Sequence, residues 1–281
     1  MKKPNGLAPV DAAGLLTEVR GRRPLIHHIT NWVTISECAA VVRAFGAAPV
    51  MAHAIEEAGE MTLLADALVL NIGTIDRPVL EAMKRAALAA NRKGIPIVLD
   101  ACGAGATLFR DQACRELLRT AHVDLLKGNA SEIAKLAGGA VLTRGVDSGA
   151  IERVDLETLV QTLARTQDAT VIVTGKVDLV CSPDGALLHV ANGHPLMAEC
   201  VGTGCMAASA IGTFAAVKPQ ALAAAAAAAL ACYEIAAENA APAARGPADF
   251  KSRLLDAVSH LAPEHLAGRV RITAAQQTGE Q

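Results

Sequence analysis

The chain has 281 residues and a formal net charge of −2, and 52% of its residues are hydrophobic whereas only 19% are charged. This composition supports a large packed core and argues against a disordered chain. Aromatic residues make up 2% of the chain, and nucleic-acid binding needs basic surfaces with aromatic stacking platforms, so we exclude that class of function. The longest apolar run, residues 221–233, is shorter than the roughly 20 residues of a membrane span.

The seven cysteines indicate the redox state that we expect for the chain. None of them has Cys-x-x-Cys spacing, and an odd number cannot form a closed set of disulfides. We therefore expect reduced thiols in a cytoplasmic protein. No continuous apolar segment follows the first residues of the chain, so we also expect no signal peptide.

Short β-branched segments alternate along the chain with alanine- and leucine-rich segments of helical period. This alternation is typical of parallel strands joined by helices. It predicts an α/β fold in a single domain, residues 1–281, with frayed ends at about 1–12 and 271–281. The predicted buried strands are, in chain order, residues 67–72, 95–100, 123–127 and 170–174.

Helix and hairpin signals occupy other parts of the chain. Residues 78–93 predict an amphipathic helix, with a proline at its start and Gly94 just past its end. Residues 179–190 predict a hairpin that turns at Pro-Asp-Gly. From Met206 onward the chain is predicted to be mainly helical, and the alanine-rich block at 222–231 predicts a close-packed core helix.

Each predicted strand ends in a polar or glycine-containing turn. In open parallel sheets, ligands bind beyond the carboxyl ends of the strands. The turns therefore predict one long ligand-binding crevice along a single edge of the sheet. The polar or glycine residues in these turns include Asn71, Gly73, Asp100, Lys127, Asn129 and Thr174.

The strongest local signal is a glycine-containing turn that precedes an apolar helix of small residues. We predict that the backbone N–H groups of Gly202, Thr203, Gly204 and Cys205 form an anion hole, because a helix start carries the positive end of the helix dipole. Such a hole suits a phosphate whose charge grows during transfer. The Cys205 thiol beside it is expected to be more acidic than usual and to accept a proton from an alcohol or polarise it. The structural alternative is a glycine turn with a buried cysteine behind it.

A second signal is the segment that starts with Gly128 and Asn129 and continues to Glu132. Asparagine at a helix start, with glutamate three residues later, is the pattern of a capping box, whose side chains satisfy only backbone N–H groups. In the functional alternative, Asn129 and Glu132 face the crevice. Glu132 and Asp100, at the end of its strand, then order Mg²⁺ through water near phosphates.

Other motifs are incomplete. Gly103 and Gly105 follow Asp100, but Leu108 occupies the position of the third glycine in a dinucleotide-binding motif, and a Walker A sequence is absent. The histidines at 27, 28 and 53 lack the ligand spacing of a zinc site, so we interpret them as core or surface residues. Met51 either lines an apolar pocket or belongs to the core.

Five ordered segments share their sequence and their spacing with one known family. They are residues 27–34 (HHITNWVT), 49–61 (PVMAHAIEEAGEM), 68–74 (LVLNIGT), 128–133 (GNASEI) and 201–210 (VGTGCMAASA). Together they resemble the hydroxyethylthiazole kinase family of the ribokinase-like superfamily. The resemblance implies a three-layer α/β/α ribokinase-like fold with a mostly parallel central sheet. It also implies a kinase that transfers the γ-phosphoryl of ATP to the hydroxyl of 4-methyl-5-(2-hydroxyethyl)thiazole, in thiamine biosynthesis or salvage.

The same resemblance implies roles for individual residues and a homotrimer with active sites between subunits. Cys205 corresponds to the catalytic base. The thiazole pocket corresponds to Met51 and Gly202, with Asn31 and Gly73 nearby. The remaining candidates are Lys127, Thr174 and Asn129 for ATP, and Asp100 and Glu132 for Mg²⁺.

Two departures from the family pattern affect these candidates. Lys127 replaces the usual arginine and lacks the planar fork that grips a phosphate at two points. The usual Asp-Pro-Val-Gly-Ala-Gly loop reads Asp-Ala-Cys-Gly-Ala-Gly at residues 100–105, which adds the thiol of Cys102.

Three other functions stay open at this point. A sister ribokinase-like enzyme would phosphorylate another small alcohol or use the nucleotide for dehydration, but such relatives usually carry aspartate at the position of Cys205. A non-catalytic binding or regulatory protein would explain the altered residues Ala101 and Lys127. A nicotinamide oxidoreductase is disfavoured by the incomplete glycine motif.

Overall fold

The computed structural model describes residues 10–138 and 153–275, and these residues include a nine-stranded sheet. The strands across it are ordered β2-β1-β3-β4-β5-β6-β7-β8-β9. Strands β1 to β6 run parallel, whereas β7, β8 and β9 are added antiparallel. In chain order they are β1 (Leu25–Ile29), β2 (Ala48–Val50), β3 (Ala67–Asn71), β4 (Ile97–Asp100), β5 (Leu125–Asn129), β6 (Thr170–Thr174), β7 (Asp178–Cys181), β8 (Leu187–Val190) and β9 (Ile272–Ala274).

Helices cover both faces of this sheet. Across residues 10–138 and 153–275, none of them has the length and apolar character needed to cross a membrane. Short 3-10 turns occur at Ala241–Ala243 and Pro263–Leu266. The α-helices are α1 (Ala12–Arg22), α2 (Ile35–Phe45), α3 (Ala58–Leu64), α4 (Arg77–Lys93), α5 (Leu108–Thr120), α6 (Ala130–Leu136), α7 (Arg153–Gln167), α8 (Leu196–Glu199), α9 (Thr203–Val217), α10 (Leu222–Ala240) and α11 (Pro247–Ser259).

Two hydrophobic clusters join the helices to the sheet. Side chains of α1, α2, α9, α10 and α11 pack in one cluster, and side chains of α4, α5 and α7 pack in the other. Because helices cover both faces, the parallel strands are apolar along most of their length, and β3 and β4 are buried at every position. The predicted three-layer α/β/α fold with a mostly parallel central sheet is confirmed.

Most of the predicted elements are present, with small shifts at their ends. The predicted strand at 170–174 coincides with β6, and those at 67–72 and 95–100 differ from β3 and β4 by one or two residues at one end. The predicted strand at 123–127 begins and ends two residues before β5. The predicted helix at 78–93 is α4, which begins one residue earlier, after the Asp76 cap that accepts from Val79 N at 2.8 Å. The predicted hairpin is formed by β7 and β8, and the alanine-rich block lies in the buried helix α10.

The strand β9 was not predicted. It pairs antiparallel with β8, within the stretch from residue 271 that we expected to be frayed. Its three residues are exposed or only partly buried, and they are too few to show the alternation over about four to eight residues that predicts a strand. At the other end, Asp11 caps α1 through a 2.8 Å hydrogen bond from Gly14 N. Residues 1–9 and 276–281 lie outside the described residues.

Candidate active site

The carboxyl ends of the parallel strands place the predicted crevice residues side by side. Asn71 at the end of β3 is in register with Asp100 at the end of β4, and Asp100 is in register with Lys127 of β5. Asn129 at the end of β5 is in register with Thr174 at the end of β6. Polar side chains that are far apart in the chain therefore share one edge of the sheet.

Helix α9 begins at this edge, directly after a residue that must be glycine. Gly202 has φ = 100°, and a Cβ added to it would lie 2.8 Å from Cγ2 of Thr34. A side chain would be strained here and would also collide with Thr34. The turn therefore brings Cys205, in the first turn of α9, against the segment that follows β1.

Two asparagine side chains bind the sulfur of Cys205. The Nδ2 atoms of Asn31 and Asn71 each lie 3.3 Å from Sγ. The Asn31 amide also donates to Oδ1 of Asn71 at 3.0 Å, and its own Oδ1 accepts from the backbone N–H and the hydroxyl of Thr34, both at 3.1 Å. These contacts fix the sulfur between the ends of β1 and β3.

The Cys205 thiol is acidic in this environment. A hydrogen bond from the thiol of Cys102 favours the thiolate, burial opposes it, and the Thr34 hydroxyl and the Lys127 ammonium reinforce it, so that the pKa falls to about 5. At neutral pH the sulfur is therefore a negatively charged hydrogen-bond acceptor. The predicted acidity of Cys205 agrees with this direction, although the cause that we expected was the helix start.

A buried ion pair lies beside the cysteine. Nζ of Lys127 lies 3.2 Å from Oδ1 of Asp100, and the two side chains are 5% and 1% exposed. Asn71 Nδ2 donates to the other carboxylate oxygen at 2.7 Å. Burial raises the pKa of Asp100 to about 7, against the opposing charge of Lys127. Burial lowers the pKa of Lys127, but the carboxylates of Asp100 and Glu132 outweigh it and raise that pKa above its ordinary value.

The capping box that the sequence predicted at the start of α6 is present. Asn129 Oδ1 accepts from Glu132 N at 2.9 Å, and Glu132 Oε2 accepts from Asn129 N at 2.7 Å. Glu132 Oε1 also accepts from Gly103 N at 2.7 Å. The predicted capping box is therefore confirmed, and the same carboxylate also fixes the loop after β4. The role of Glu132 toward Mg²⁺ stays a prediction.

The start of α9 offers unpaired backbone donors. In the part of the chain that the structure describes, the N–H groups of Gly202, Gly204 and Cys205 have no hydrogen-bond partner. Thr203 differs from the prediction, because its N–H lies 3.4 Å from Cys200 O and its hydroxyl donates to Met197 O at 2.7 Å. A Cβ on Gly204 would lie 3.2 Å from Nζ of Lys127, so the ammonium lies at this helix start. The free N–H groups and the cation can together bind an anion.

The remaining candidates lie on either side of this centre. Gly73 contacts it directly, since its N–H donates to Asn71 Oδ1 at 2.9 Å. Met51 follows β2, the edge strand, and is partly buried. Thr174 ends β6 on the opposite side, with its hydroxyl 3.4 Å from Gly128 O. Met51 and Thr174 therefore lie toward opposite ends of this edge of the sheet.

The histidines divide into core and surface residues. His27 is buried, with its ring nitrogens 2.8 Å from Thr62 Oγ1 and 2.7 Å from Ala52 O. His28 is buried next to Ser209 Oγ at 3.1 Å, and burial lowers its pKa to about 4. His53 is exposed.

The family model for hydroxyethylthiazole kinases matches residues 16–264. The chain belongs to the hydroxyethylthiazole kinase family. It is 48% identical over 257 residues to the hydroxyethylthiazole kinase of Methanosarcina mazei, covering 92% of this chain and 97% of that protein. The hydroxyethylthiazole kinase of Methanoculleus marisnigri is 49% identical over 260 residues, covering 92% of each.

Solved structures agree with this assignment. The hydroxyethylthiazole kinase of Pyrococcus horikoshii superposes with a TM-score of 0.85 at 40% identity, covering 94% of this chain and 99% of that chain. An ADP/ATP-dependent NAD(P)H-hydrate dehydratase of Bacillus subtilis has a TM-score of 0.52 at 14% identity, covering 86% and 96%, which shows the shared fold alone. The family resemblance is thus confirmed, and the protein is a kinase.

The two acidic candidates of this kinase fit a magnesium ion that binds mostly through water. Asp100 and Glu132 are close enough for the charge of Glu132 to raise the pKa of Asp100, and both offer hard oxygen atoms. Their oxygens already accept hydrogen bonds from Asn71, Lys127 and backbone N–H groups. The described ranges contain no group of three or more histidine, cysteine or acidic side chains able to hold a metal. Mg²⁺ commonly keeps several waters and takes few protein ligands, so this arrangement suits it.

Three contributors to the site were not predicted from the sequence. Asn71 was noted only as part of a turn, yet it connects Cys205 to Asp100. Thr34 binds Asn31 and packs against Gly202. Cys102 was an unassigned thiol and donates to Cys205. The position of Asn71 at the end of the strand next to β4 was a usable signal for the first of these.

Proposed function

We propose that this kinase transfers the γ-phosphoryl of ATP to the hydroxyl of 4-methyl-5-(2-hydroxyethyl)thiazole, a step of thiamine biosynthesis or salvage. The name of the matching family and of its relatives supports the substrate. The structural observation that carries the proposal is the Cys205 sulfur, which two asparagine amides hold at the start of α9. A thiolate acceptor, free N–H groups and a lysine meet there, and these groups can orient an alcohol and stabilise the charge of a phosphoryl group in transfer.

The alcohol side of the reaction is assigned to the centre and to the β2 end of the crevice. Asn31, Gly73 and Gly202 surround Cys205, and Met51 extends the wall toward the edge strand. We assign these four residues to binding the thiazole alcohol. With a pKa of about 5, the Cys205 thiolate is a weak base, so its main contribution is to accept the hydrogen bond of the hydroxyl and orient its oxygen.

The nucleotide side is assigned to the β5 and β6 end. Lys127 contributes charge at the start of α9, and Thr174 contributes a partly exposed hydroxyl. The Oδ1 atom of Asn129 is used by the capping box, so we assign only its amide N–H groups to ATP. Lysine provides a point charge and not a planar fork, so its grip on phosphate is less directional than that of arginine.

In the transfer step, the hydroxyl oxygen forms a bond to the γ-phosphorus while the bond from that phosphorus to the β–γ bridging oxygen breaks. ADP leaves, and the hydroxyl proton passes to Cys205 or to solvent. The N–H groups of Gly204 and Cys205, with the ammonium of Lys127, stabilise the charge on the moving phosphoryl. Because the transition state is loose, it places little demand on a strong base.

Mg²⁺ is the cation that we assign to the reaction, with Asp100 and Glu132 as the residues that would hold its water ligands. When bound, it supplies positive charge that neutralises the nucleotide phosphates. The chemistry of the two carboxylates supports this assignment, since Mg²⁺ prefers oxygen ligands.

A homotrimer with active sites between subunits, located in the cytoplasm, is the assembly that we propose from the family resemblance. Sedimentation equilibrium measures the subunit number. A mass of one or two chains would contradict the trimer and leave the activity proposal intact.

A coupled assay of ADP release tests the activity. The purified protein is supplied with ATP and one of several small alcohols, including the thiazole alcohol, with and without Mg²⁺. We expect ADP release that depends on the thiazole alcohol and falls to background when the metal is chelated. Preference for another alcohol would favour a sister activity, and ATP binding without turnover would favour a non-catalytic role.

A further inference from the structure

A half-exposed indole ring lies on the segment that follows β1. Trp32 is the only tryptophan of the chain, and 49% of it is exposed. It directly follows Asn31, whose amide donates to Cys205, and its own N–H donates to Thr74 Oγ1 at 3.1 Å. The backbone is thus fixed at the site while the ring reaches into solvent. Tryptophan is highly buried on average in proteins, and a half-exposed indole has an apolar face that a ligand can cover.

A second ring stands against the indole. The centroids of Trp32 and His53 are 4.6 Å apart with an interplanar angle of 90°. Trp32 follows β1 and His53 follows β2, and these two strands are parallel neighbours in the sheet. In an edge-to-face pair each ring keeps at least one face that its partner does not cover. The pair therefore offers an aromatic wall at the β2 end of the crevice, where Met51 also lies.

The length of the substrate matches this position. A two-carbon arm separates the hydroxyl from the thiazole ring, so the ring lies on the order of 4 Å from the hydroxyl oxygen. With that oxygen at Cys205, whose sulfur contacts Asn31, we expect the ring to reach the segment that contains Asn31 and Trp32. Val33 and Val201, which are 63% and 70% exposed, extend the apolar surface on the two segments that meet at the contact between Thr34 and Gly202.

We propose that Trp32, supported by His53, binds the aromatic ring of the alcohol substrate and selects it over aliphatic alcohols with the same arm. This inference rests on the proposed function, since it takes the thiazole alcohol as the acceptor. A planar heteroaromatic ring stacks on, or meets edge-on, an exposed indole face, and an acyclic alcohol gains less from that contact.

The single tryptophan makes the test direct. Its emission, excited selectively over the one tyrosine, reports on residue 32 alone. Titration of the thiazole alcohol without nucleotide is expected to change that emission saturably, with a Kd that agrees with calorimetry. An unchanged emission at concentrations where calorimetry shows binding would overturn the proposal.

Substitutions then measure the contribution of the ring. Trp32→Ala is expected to raise the KM and the calorimetric Kd for the thiazole alcohol about tenfold, which corresponds to about 1.4 kcal/mol, with kcat and the KM for ATP changing less than about twofold. Trp32→Phe keeps an aromatic face and should retain most of the affinity. The preference for the thiazole alcohol over an acyclic alcohol, as a ratio of kcat/KM values, should fall with Trp32→Ala.

Leu88→Ala is the matched control, because Leu88 is an apolar residue of similar exposure, 46%, on α4. It should leave both affinities unchanged. If folded Trp32→Ala binds the thiazole alcohol with the wild-type Kd, the proposed role of the ring is overturned, and the proposed function is not affected. Absence of both thiazole binding and thiazole-dependent ADP release in the wild-type protein would instead overturn the proposed function.

Discussion

The sulfur of Cys205 and the carboxylate of Asp100 share one hydrogen-bond donor. Nδ2 of Asn71 lies 3.3 Å from the sulfur and 2.7 Å from the carboxylate. The group to which we assign the alcohol is therefore tied to the acid of the buried ion pair, and through it to Lys127. One connected set of side chains joins the groups that we propose for alcohol binding and for phosphate binding.

Replacing Cys205 with alanine tests its role in receiving the alcohol. We expect kcat to fall by no more than the ~10²–10⁴-fold typical of acid–base groups, because Cys205 mainly orients the hydroxyl, while the KM for ATP stays near wild type. Single-turnover kinetics measure the transfer step itself. Cys232→Ala, a cysteine buried in α10 far along the chain, is the control and should keep wild-type kcat. An unchanged transfer rate in Cys205→Ala would remove the cysteine from the mechanism.

The acidity of Cys205 depends on the neighbouring thiol. Because the folded-state pKa is lowered to about 5, the rate of Cys205 alkylation by iodoacetamide should rise with pH through about 5 and level off well below pH 8. Cys102→Val removes the hydrogen bond that contributes most and should shift this profile to higher pH. Mass spectrometry of the labelled peptide separates Cys205 from Cys102. If the pH profile of Cys205 alkylation is the same in Cys102→Val as in the wild-type protein, the hydrogen bond from Cys102 is not the cause of the lowered pKa.

Lys127 forms an ion pair with the carboxylate of Asp100, which is almost completely buried. Lys127→Met leaves Asp100 without its ion-pair partner, and removal of one partner of a buried pair costs about 3–5 kcal/mol. The pKa of Asp100 is already raised to about 7, so the carboxyl is protonated in the variant as the pH falls, and the loss of stability should be smaller at pH 5 than at pH 8. Urea denaturation at the two pH values measures the free energy of unfolding.

The double variant Lys127→Met/Asp100→Asn provides the control for that prediction. It removes both charges, so its free energy of unfolding should exceed that of Lys127→Met alone at pH 8, and the difference between the two pH values should shrink. An equal loss in the single and double variants at both pH values would show that packing, and not the unpaired charge, causes the effect.

The turn before α9 should tolerate only glycine. Gly202→Ala introduces a side chain at φ = 100° and 2.8 Å from Thr34; it should cost about 1–3 kcal/mol of stability and reduce kcat, because the free N–H groups move. Gly94→Ala, at φ = 75° with open space around it, adds comparable backbone strain and should keep kcat. Equal kcat values in the two variants would contradict the placement of the anion hole.

Local patterns predicted the architecture better than the site. Strands such as β3 and β6 have continuous apolar runs, and Asp76 and Gly94 delimit α4, so short segments contain enough information for these elements. The short edge strand β9 has no such pattern, because its pairing with β8 determines it. Even so, the polar ends of the strands correctly predicted that these side chains share one edge of the sheet, since parallel strands end at a common edge.

The contacts within the site could not be predicted in the same way. Asn31 and Cys205 are 174 residues apart in the chain, and no local period reports such a contact. The N–H of Thr203 points to Cys200 O because the chain turns tightly before α9. The sequence pattern of a helix start does not contain this turn, so the loss of that donor could not be predicted. The family resemblance supplied candidate positions, but it could not include Cys102, which departs from the family pattern.

The side chain of Glu132 links two segments of this site. One of its oxygens holds the loop after β4 at Gly103, and the other holds the first turn of α6 at Asn129. The two segments therefore move as a single unit, and a displacement of either is passed to the other. A shorter side chain at this position would lose these two hydrogen bonds, so the distance between the loop after β4 and the first turn of α6 could vary.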